Sequence, residues 1–218
     1  AFLVEPIQAE GGVNVASREW LHGLQELARE IGALVIFDDI QAGMGRTGAF
    51  FSFDGMGLYP DIICLAKGLG GLGTPIAMNL VKPEHDQHWS PGEHTGTFRG
   101  QSLSFVAGTE ALDYFKDESL MDEVKAKSEK IFEALKPLEA HAKVQVRGKG
   151  MIAGLDLGNG DRVKQVVHKC FDAGLLICPC GTGGRVLKVI PPLTIPDDQL
   201  EAGLEILTQA AGEVLKAA

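Results

Sequence analysis

Two side chains with reactive groups each follow an apolar run of the sequence. Asp38 follows residues 34–37, and Lys67 follows residues 62–66. Apolar runs of this length predict buried parallel strands, so both side chains are expected at the carboxyl ends of neighbouring strands. A lysine amine forms a Schiff base with an aldehyde, and a carboxylate keeps a pyridine nitrogen protonated. The pair therefore fits the chemistry of pyridoxal phosphate (PLP), whose protonated ring acts as an electron sink.

The residues around this pair form a long, position-specific motif. Its two parts are Asp38-Asp-Ile-Gln-Ala-Gly-Met-Gly-Arg-Thr-Gly48 and Pro60-Asp-Ile-Ile-Cys-Leu-Ala-Lys67-Gly68. The motif resembles the signature of the class III PLP-dependent aminotransferases, which include enzymes for ornithine, acetylornithine, 4-aminobutyrate and diaminobutyrate. The resemblance implies a fold-type I PLP-dependent transferase that forms a homodimer or a higher homo-oligomer. It also implies that Lys67 is the Schiff-base lysine and proton carrier, and that Asp38 contacts the pyridine nitrogen.

Two further residues match cofactor contacts of this family. Gln41 matches the amide that contacts the cofactor's ring face or its phenolic oxygen. Thr97, in His94-Thr-Gly-Thr-Phe-Arg-Gly100, matches the threonine that binds the cofactor phosphate across the dimer interface. Alternatively, Thr97 caps the helix that follows it, which is a common use of loop threonines. The family has glutamate where this chain has Asp39, and the position in the motif assigns the pyridine contact to Asp38.

Three charged residues match or flank the family's substrate site. Glu10 matches a glutamate that pairs with a C-terminal arginine, and that pair opens and closes to admit an amine donor or a dicarboxylate acceptor. In this chain Lys188 stands at the arginine position, shortly before residues 191–193. Arg185 is the alternative, but the odd offset between it and Lys188 places the two side chains on opposite faces of a strand. A lysine offers one point charge where an arginine offers a planar fork.

Several segments of the chain depart from the general family pattern in a way that resembles one branch of the family. They lie at residues 10–16, 38–43, 50–53, 96–100, 188 and 192–197. Together they resemble the diaminobutyrate–2-oxoglutarate branch of the family, which acts in ectoine biosynthesis. This resemblance implies transfer of the terminal amine between 2,4-diaminobutyrate or aspartate semialdehyde and 2-oxoglutarate or glutamate. The alternatives are an ornithine, acetylornithine or 4-aminobutyrate aminotransferase, or an inactive fragment.

The order of strand and helix signals predicts an α/β fold in two parts. In the first part, strands and helices alternate, which is typical of a parallel sheet covered on both faces. Its strands are expected at residues 2–5, 34–37, 62–65 and 76–81, and its helices at 17–31 and 102–115. The second part has a helix at 120–138, short strands at 144–146, 151–157 and 186–190, and two later helices. The expected domains are residues 1–117, part of a large PLP-binding domain, and residues 118–218, a small C-terminal α+β domain.

Composition argues against several classes of partner. The formal net charge is −9 and the chain has no basic cluster, which argues against nucleic acid. The sequence has no apolar run long enough to span a membrane and no signal-peptide pattern. The close pair Cys178 and Cys180 lacks a second ligand pair at zinc spacing, so no metal site is expected. Four cysteines without a disulfide framework are typical of a reduced, cytoplasmic protein.

The chain starts directly in an apolar run, Ala1-Phe-Leu-Val-Glu5, without an initiator methionine. Members of the family it resembles are about twice as long, and their N-terminal half carries a phosphate-cradling glycine loop and a ring-stacking aromatic residue. We therefore expect the chain to be the C-terminal portion of a longer enzyme whose activity needs the missing half.

Overall fold

The computed structural model describes residues 1–97 and 99–216 of the chain. Phe98, which belongs to the 94–100 motif, lies outside the described residues. The strands are β1 (Phe2–Val4), β2 (Ile7–Gln8), β3 (Asn14–Val15), β4 (Val35–Asp38), β5 (Ile62–Ala66), β6 (Ala77–Val81), β7 (Gln145–Lys149), β8 (Ile152–Asp156), β9 (Cys178–Cys180) and β10 (Val186–Val189). The α-helices are α1 (Arg18–Ile31), α2 (Pro83–Asp86), α3 (Ser102–Leu112), α4 (Ser119–Leu135), α5 (Gly160–Asp172) and α6 (Asp197–Lys216).

The described chain forms two compact units. The first unit contains residues 1–6, 16–45 and 49–119. The second unit contains residues 7–15 and 46–48 together with the chain from residue 120 onward. The division of the sequence into domains 1–117 and 118–218 stays a prediction.

A mixed four-stranded sheet with the order β1-β4-β5-β6 forms the centre of the first unit. Strands β1, β4 and β5 are parallel, as the strand–helix–strand order predicts. The predicted strand at 76–81 is present as β6, but it runs antiparallel to β5. Its direction follows from the short link between Ala66 and Ala77, because a parallel crossover needs about a dozen residues or more.

Helix α1 begins and ends as its sequence predicts. The Ser17 hydroxyl accepts a hydrogen bond from the Trp20 N–H at 3.1 Å, and Gly32 ends the helix with a left-handed φ of 68°. Leu21 and Ala28 are buried and pack in one apolar cluster with Val35, Phe37, Phe53 and Leu58. This cluster packs against one face of β4 and so fixes the strand that ends at Asp38.

The second unit contains an antiparallel sheet with the order β7-β8-β10-β9. Leu155 and Leu187 are register partners in it and are fully buried, so one face of this sheet forms part of the core. Helices α5 and α6 pack against each other, and α5 also contacts β9 and β10. Strand β9 contains Pro179 between two cysteines, and the sequence pattern did not predict it.

None of the helices within residues 1–97 and 99–216 is long and apolar enough to cross a membrane. In the same residues, no group of three or more His, Cys, Asp or Glu side chains could hold a metal ion.

Candidate active site

Asp38 and Lys67 follow the carboxyl ends of two adjacent parallel strands. Asp38 is the last residue of β4 and is the register partner of Cys64 on β5. Lys67 comes directly after β5, three residues beyond that partner, as the first residue of a 3₁₀ turn over Lys67–Gly70. The predicted neighbouring strands are therefore confirmed, and both side chains start at the edge where open α/β sheets bind ligands.

The Asp38 carboxylate is half-buried and only partly engaged. Its Oδ1 atom accepts a hydrogen bond from the Ile40 N–H at 3.1 Å. Among the described residues, Oδ2 has no hydrogen-bond or ion-pair partner. Burial raises the pKa of the neighbouring Cys64 thiol, and the negative charge of Asp38 raises it further. One oxygen of a half-buried carboxylate is therefore available to a donor from a ligand.

Lys67 has an unusual backbone conformation at an accessible position. Its φ is +52°, in the left-handed region, which costs about 1–2 kcal/mol for a residue with a Cβ. The side chain is exposed, and its ammonium has no hydrogen bond or ion pair within residues 1–97 and 99–216. Strained backbone of this kind concentrates at functional sites, where the surrounding packing maintains it.

Packing around the 3₁₀ turn holds this conformation. Leu69 in the turn is buried in one cluster with Leu65 and Met44. A Cβ atom at Gly68 would lie 3.2 Å from the Met44 Cβ atom, so a larger residue there would displace Met44. Met44 itself has a left-handed φ of 54°. The loop after β4 and the turn after β5 therefore fix each other.

Asp39 differs sharply from Asp38 in its surroundings. It is fully buried, and its Oδ2 atom accepts a hydrogen bond from the Ser52 N–H at 3.0 Å. Burial raises the pKa of the Asp39 carboxyl, and hydrogen bonds from Ser52 oppose that rise. A Cβ atom at Gly43 would lie 2.7 Å from both the Asp39 carbonyl oxygen and Oδ2. Asp39 therefore closes the 39–52 loop, and Asp38 is the carboxylate that a ligand can reach.

Gln41 and Thr97 both lie in loops of the first unit. Gln41 is half-buried in the turn that Asp39 closes, and its side chain or backbone has a polar partner. Thr97 is exposed. The alternative that Thr97 caps the next helix is wrong, because Gln101 occupies the N-cap position of α3.

In the second unit, the structure joins Glu10 with Lys188. Glu10 lies in the loop between β2 and β3, and Lys188 lies in β10. The Lys188 ammonium forms an ion pair with Oε1 of Glu10. The Gly181 N–H also donates a hydrogen bond to the Glu10 carbonyl oxygen at 2.9 Å. The contact expected from the family pattern is therefore present between the side chains of these two residues.

Arg185, the alternative cation, lies immediately before β10 and contacts a different carboxylate. Its Nη2 atom lies 3.0 Å from Oδ2 of Asp156. Nη1 of Arg147 lies 3.1 Å from the same oxygen. Sequence reasoning missed Arg147 and Asp156, because only the pairing of β7 with β8 brings these two residues together.

Comparison with known proteins gives a consistent result. The aminotransferase class-III family pattern matches residues 1–211. The diaminobutyrate–2-oxoglutarate transaminase of Marinococcus halophilus is 46% identical over 217 residues, which cover 98% of this chain and 51% of that protein. The Wolinella succinogenes protein of the same name is 48% identical over 219 residues, covering 99% of this chain and 51% of that protein. The chain thus spans about half the length of the curated relatives it matches.

A solved structure supports the same assignment. The ornithine aminotransferase of Toxoplasma gondii, described with PLP at partial occupancy in its active site, is 33% identical. The two structures superpose with a TM-score of 0.89, and the match covers 100% of this chain and 52% of the ornithine aminotransferase chain. This likeness confirms the predicted α/β, fold-type I class. The chain therefore belongs to the class III aminotransferase family.

Proposed function

We propose that this chain carries the lysine, the pyridine-contacting carboxylate and the acceptor-binding cation of a PLP-dependent aminotransferase. The observation that carries the proposal is the register of β4 and β5, which brings Asp38 and Lys67 to one edge of a sheet. Membership in the class III aminotransferase family supports it independently.

The residues at this edge fit PLP. Asp38 offers an unengaged carboxylate oxygen, and Lys67 offers an exposed amine without a polar partner in the described part of the chain. Gln41 lies three residues after Asp38 in the loop that Asp39 closes. When bound, PLP supplies an aldehyde that condenses with amines and a protonated ring that withdraws electrons from the substrate carbon.

Each of these residues has one proposed task. Asp38 keeps a proton on the ring nitrogen, because a carboxylate within contact distance favours the charged form of that nitrogen. Gln41 contacts the ring without changing the charge of the site. Nζ of Lys67, once it is free, takes the proton from the amine-bearing carbon of the substrate as a general base.

The substrates that we propose are 2,4-diaminobutyrate, which loses its terminal amine, and 2-oxoglutarate, which receives it. The reverse direction uses glutamate and aspartate semialdehyde. Two curated relatives named for diaminobutyrate and 2-oxoglutarate are 46% and 48% identical to this chain, against 33% for the ornithine aminotransferase structure. Lys188 binds a carboxylate of the acceptor, and Glu10 neutralises Lys188 when the diamine occupies the site.

The proposed assembly is a homodimer in which Thr97 binds the cofactor phosphate across the interface. Helix α3, which follows the Thr97 loop, is apolar, and it exposes Leu103, Phe105 and Val106. A helix of this composition is normally covered. We propose that a second copy of the chain packs against this exposed apolar surface of α3.

The proposed activity is that of the complete gene product. Because the chain spans about half the length of its relatives, residues 1–218 alone form a second candidate, an inactive fragment. Intact mass of the protein from its native source and assay of the complete gene product beside residues 1–218 separate the two candidates.

A donor panel tests the substrate proposal. Complete gene product is incubated with 2-oxoglutarate and with 2,4-diaminobutyrate, ornithine, acetylornithine or 4-aminobutyrate, and glutamate formation is followed. We expect the highest kcat/KM for 2,4-diaminobutyrate, with aspartate semialdehyde as the product. A preference for ornithine or acetylornithine would overturn the substrate and leave the PLP assignment standing.

A further inference from the structure

One cross-strand row of the second unit's sheet carries two cations and a glycine. Arg147 on β7 and Lys188 on β10 are both register partners of Gly154 on β8. Register partners of neighbouring strands point to the same face, so Arg147 and Lys188 flank Gly154 on one face, about 10 Å apart. The face they share is opposite to the one that carries Leu155 and Leu187.

The loop that bears Glu10 docks on this row. Val13 is fully buried with a left-handed φ of 56°, and it occupies the space above the glycine. A Cβ atom at Gly154 would lie 3.0 Å from the Cβ atom of Val13. Because Gly154 has no side chain, Val13 can pack directly above it. This packing places the preceding residues of the loop between Arg147 and Lys188.

Arg147 ties the loop to the sheet. Its Nε atom donates a hydrogen bond to the Gly12 carbonyl oxygen at 2.9 Å, while its Nη1 atom binds Asp156. Asp156 is buried, and it also forms an ion pair with Arg185 and accepts a hydrogen bond from the Gly158 N–H at 2.8 Å. A guanidinium can serve two acceptors in this way because its donors form a rigid fork.

The backbone at and after Glu10 is held by two hydrogen bonds, whereas the Glu10 side chain is not enclosed. The Gly181 N–H binds the Glu10 carbonyl oxygen, and Arg147 binds the carbonyl oxygen two residues later. The Glu10 side chain is largely in solvent and reaches the buried Lys188 ammonium from outside. Rotation of this side chain alone therefore makes or breaks the ion pair.

We propose that Arg147 is a positioning residue that, through the Gly12 carbonyl, keeps Glu10 aimed at Lys188 and so sets the preference between diamine and dicarboxylate substrates. The inference rests on the proposed roles of Glu10 and Lys188. With the loop fixed, Glu10 competes effectively with a substrate carboxylate for Lys188. With the loop released, that competition weakens, so glutamate gains relative to 2,4-diaminobutyrate.

The test compares half-reactions of the PLP-loaded, complete gene product with 2,4-diaminobutyrate and with glutamate. The measured quantity is the ratio of kcat/KM for the two substrates, from the cofactor absorbance in single turnovers. The variants are Glu10→Gln, Arg147→Gln and their double variant. Arg147→Gln leaves Asp156 with Arg185 and the Gly158 N–H, so no buried charge loses its last partner. The matched control is Arg162→Gln, since the guanidinium of Arg162 has no polar partner in the described residues and only its backbone N–H binds Asn159.

We expect both single substitutions to lower the diaminobutyrate-to-glutamate ratio, Arg147→Gln on the order of tenfold for the loss of a charged hydrogen bond. The double variant should match Glu10→Gln, because Arg147 acts through Glu10. Arg147→Lys keeps the charge but not the fork, so it should lower the ratio like Arg147→Gln. Hydrogen exchange at the Gly12 and Val13 amides, which donate to the Ala9 carbonyl, should rise in both Arg147 variants.

Three results would overturn the inference. The first is a fall in kcat/KM for both substrates by the same factor, which would mean a general structural role. The second is an Arg147→Gln effect that adds in full to that of Glu10→Gln. The third is a normal ratio in Arg147→Lys and Arg147→Gln although Glu10→Gln lowers it. An unchanged ratio in Glu10→Gln itself would instead overturn the proposed exchange between Glu10 and the substrate.

Discussion

The ammonium of Lys188 is buried, with 7% of its side chain exposed, whereas the side chain of its partner Glu10 is 68% exposed. Water can therefore solvate the Glu10 carboxylate, but not the Lys188 ammonium, when the ion pair opens. Glu10 regains hydration in this way, but the buried ammonium of Lys188 does not, and removal of a charge from water is costly. In the exchange that we propose, an incoming carboxylate would take the place of Glu10 beside Lys188 and release Glu10 to water. The asymmetry favours exchange of one carboxylate for another at Lys188.

Substitution of Lys188 tests which cation binds the acceptor. Lys188→Met keeps most of the apolar stem and removes the charge. We expect kcat/KM for 2-oxoglutarate to fall roughly 30-fold or more, as is typical when one partner of a buried charge pair is removed. Lys188→Arg should retain part of the activity, because the larger fork has to fit a site that holds a lysine. The comparison variant is Arg185→Met, since Arg185 binds Asp156. A damaging Arg185→Met with a nearly silent Lys188→Met would assign the role to Arg185.

Neighbouring aspartates should respond differently to loss of charge. Asp38→Asn should keep the fold and lose activity by about a hundredfold or more, because an amide does not hold the ring nitrogen protonated. Asp39→Asn should instead lower the melting temperature, since Asp39 is buried against Ser52 and Gly43. Turnover and thermal unfolding measured on both variants separate the roles. Normal turnover of PLP-loaded Asp38→Asn would exclude its assigned contact.

The ionisation of Asp61 should make the free energy of unfolding of the first unit depend on pH. Burial raises the pKa of Asp61, but the Val35 N–H at 2.8 Å and the Lys82 ammonium at 2.9 Å outweigh it, so the pKa is lowered. A lowered pKa stabilises the fold above the unfolded value of about 3.9, and the contribution is lost as the pH falls through the folded value. Asp61→Asn should therefore cost about 1 kcal/mol near pH 7, since solvent screens this partly exposed pair.

The measurement for Asp61 is urea unfolding of wild type and variant between pH 3 and pH 7. The difference in free energy of unfolding should shrink toward zero at the acid end. Glu26→Gln is the control, because the carboxylate of Glu26 is exposed and has no polar partner among the described residues. A difference that stays constant over the whole range would mean that the charge of Asp61 is not responsible.

Mixed dimers test the shared site. Lys67→Ala and Thr97→Ala proteins should each be inactive alone, because each lacks one residue of every site. After mixing and subunit exchange, random dimers of two-fold symmetry should regain about a quarter of the intact sites. The readouts are transamination and light scattering under assay conditions. An active monomer, or no recovery in proven mixed dimers, would rule out the exchange of Thr97 between subunits.

Local patterns were sufficient to predict the elements that carry the residues proposed to bind the cofactor. The apolar run before Asp38 forms β4, and the Ser17 cap and the Gly32 stop bound α1. Each of these signals lies within a few residues of the feature it determines. Helix α1 also shows the limit of periodicity, because Trp20 and Ile31 recur at helical spacing with the buried Leu21 and Ala28 and yet are exposed.

The antiparallel direction of β6 was missed because the apolar composition of a strand is the same in either direction, although the short link after β5 excludes a parallel crossover. Features that depend on long-range pairing, in contrast, were not visible in the sequence. Arg147 and Asp156 meet only because β7 and β8 pair in one register. The choice between Arg185 and Lys188 as the partner of Glu10 was also not visible in the sequence. It depends on strand pairing, which places Arg185 beside Asp156 and Lys188 beside Glu10.

Identification of the lysine that bonds to the cofactor tests the central claim most directly. Complete gene product loaded with PLP is reduced with borohydride, digested, and mapped by mass spectrometry, with Lys67→Ala as the control. We predict one pyridoxyl group, on Lys67, and none in the Lys67→Ala protein, whose far-ultraviolet circular dichroism should match that of the wild type. A pyridoxyl group on Lys82 or Lys149 instead of Lys67, or unchanged labelling of Lys67→Ala, would contradict the assignment.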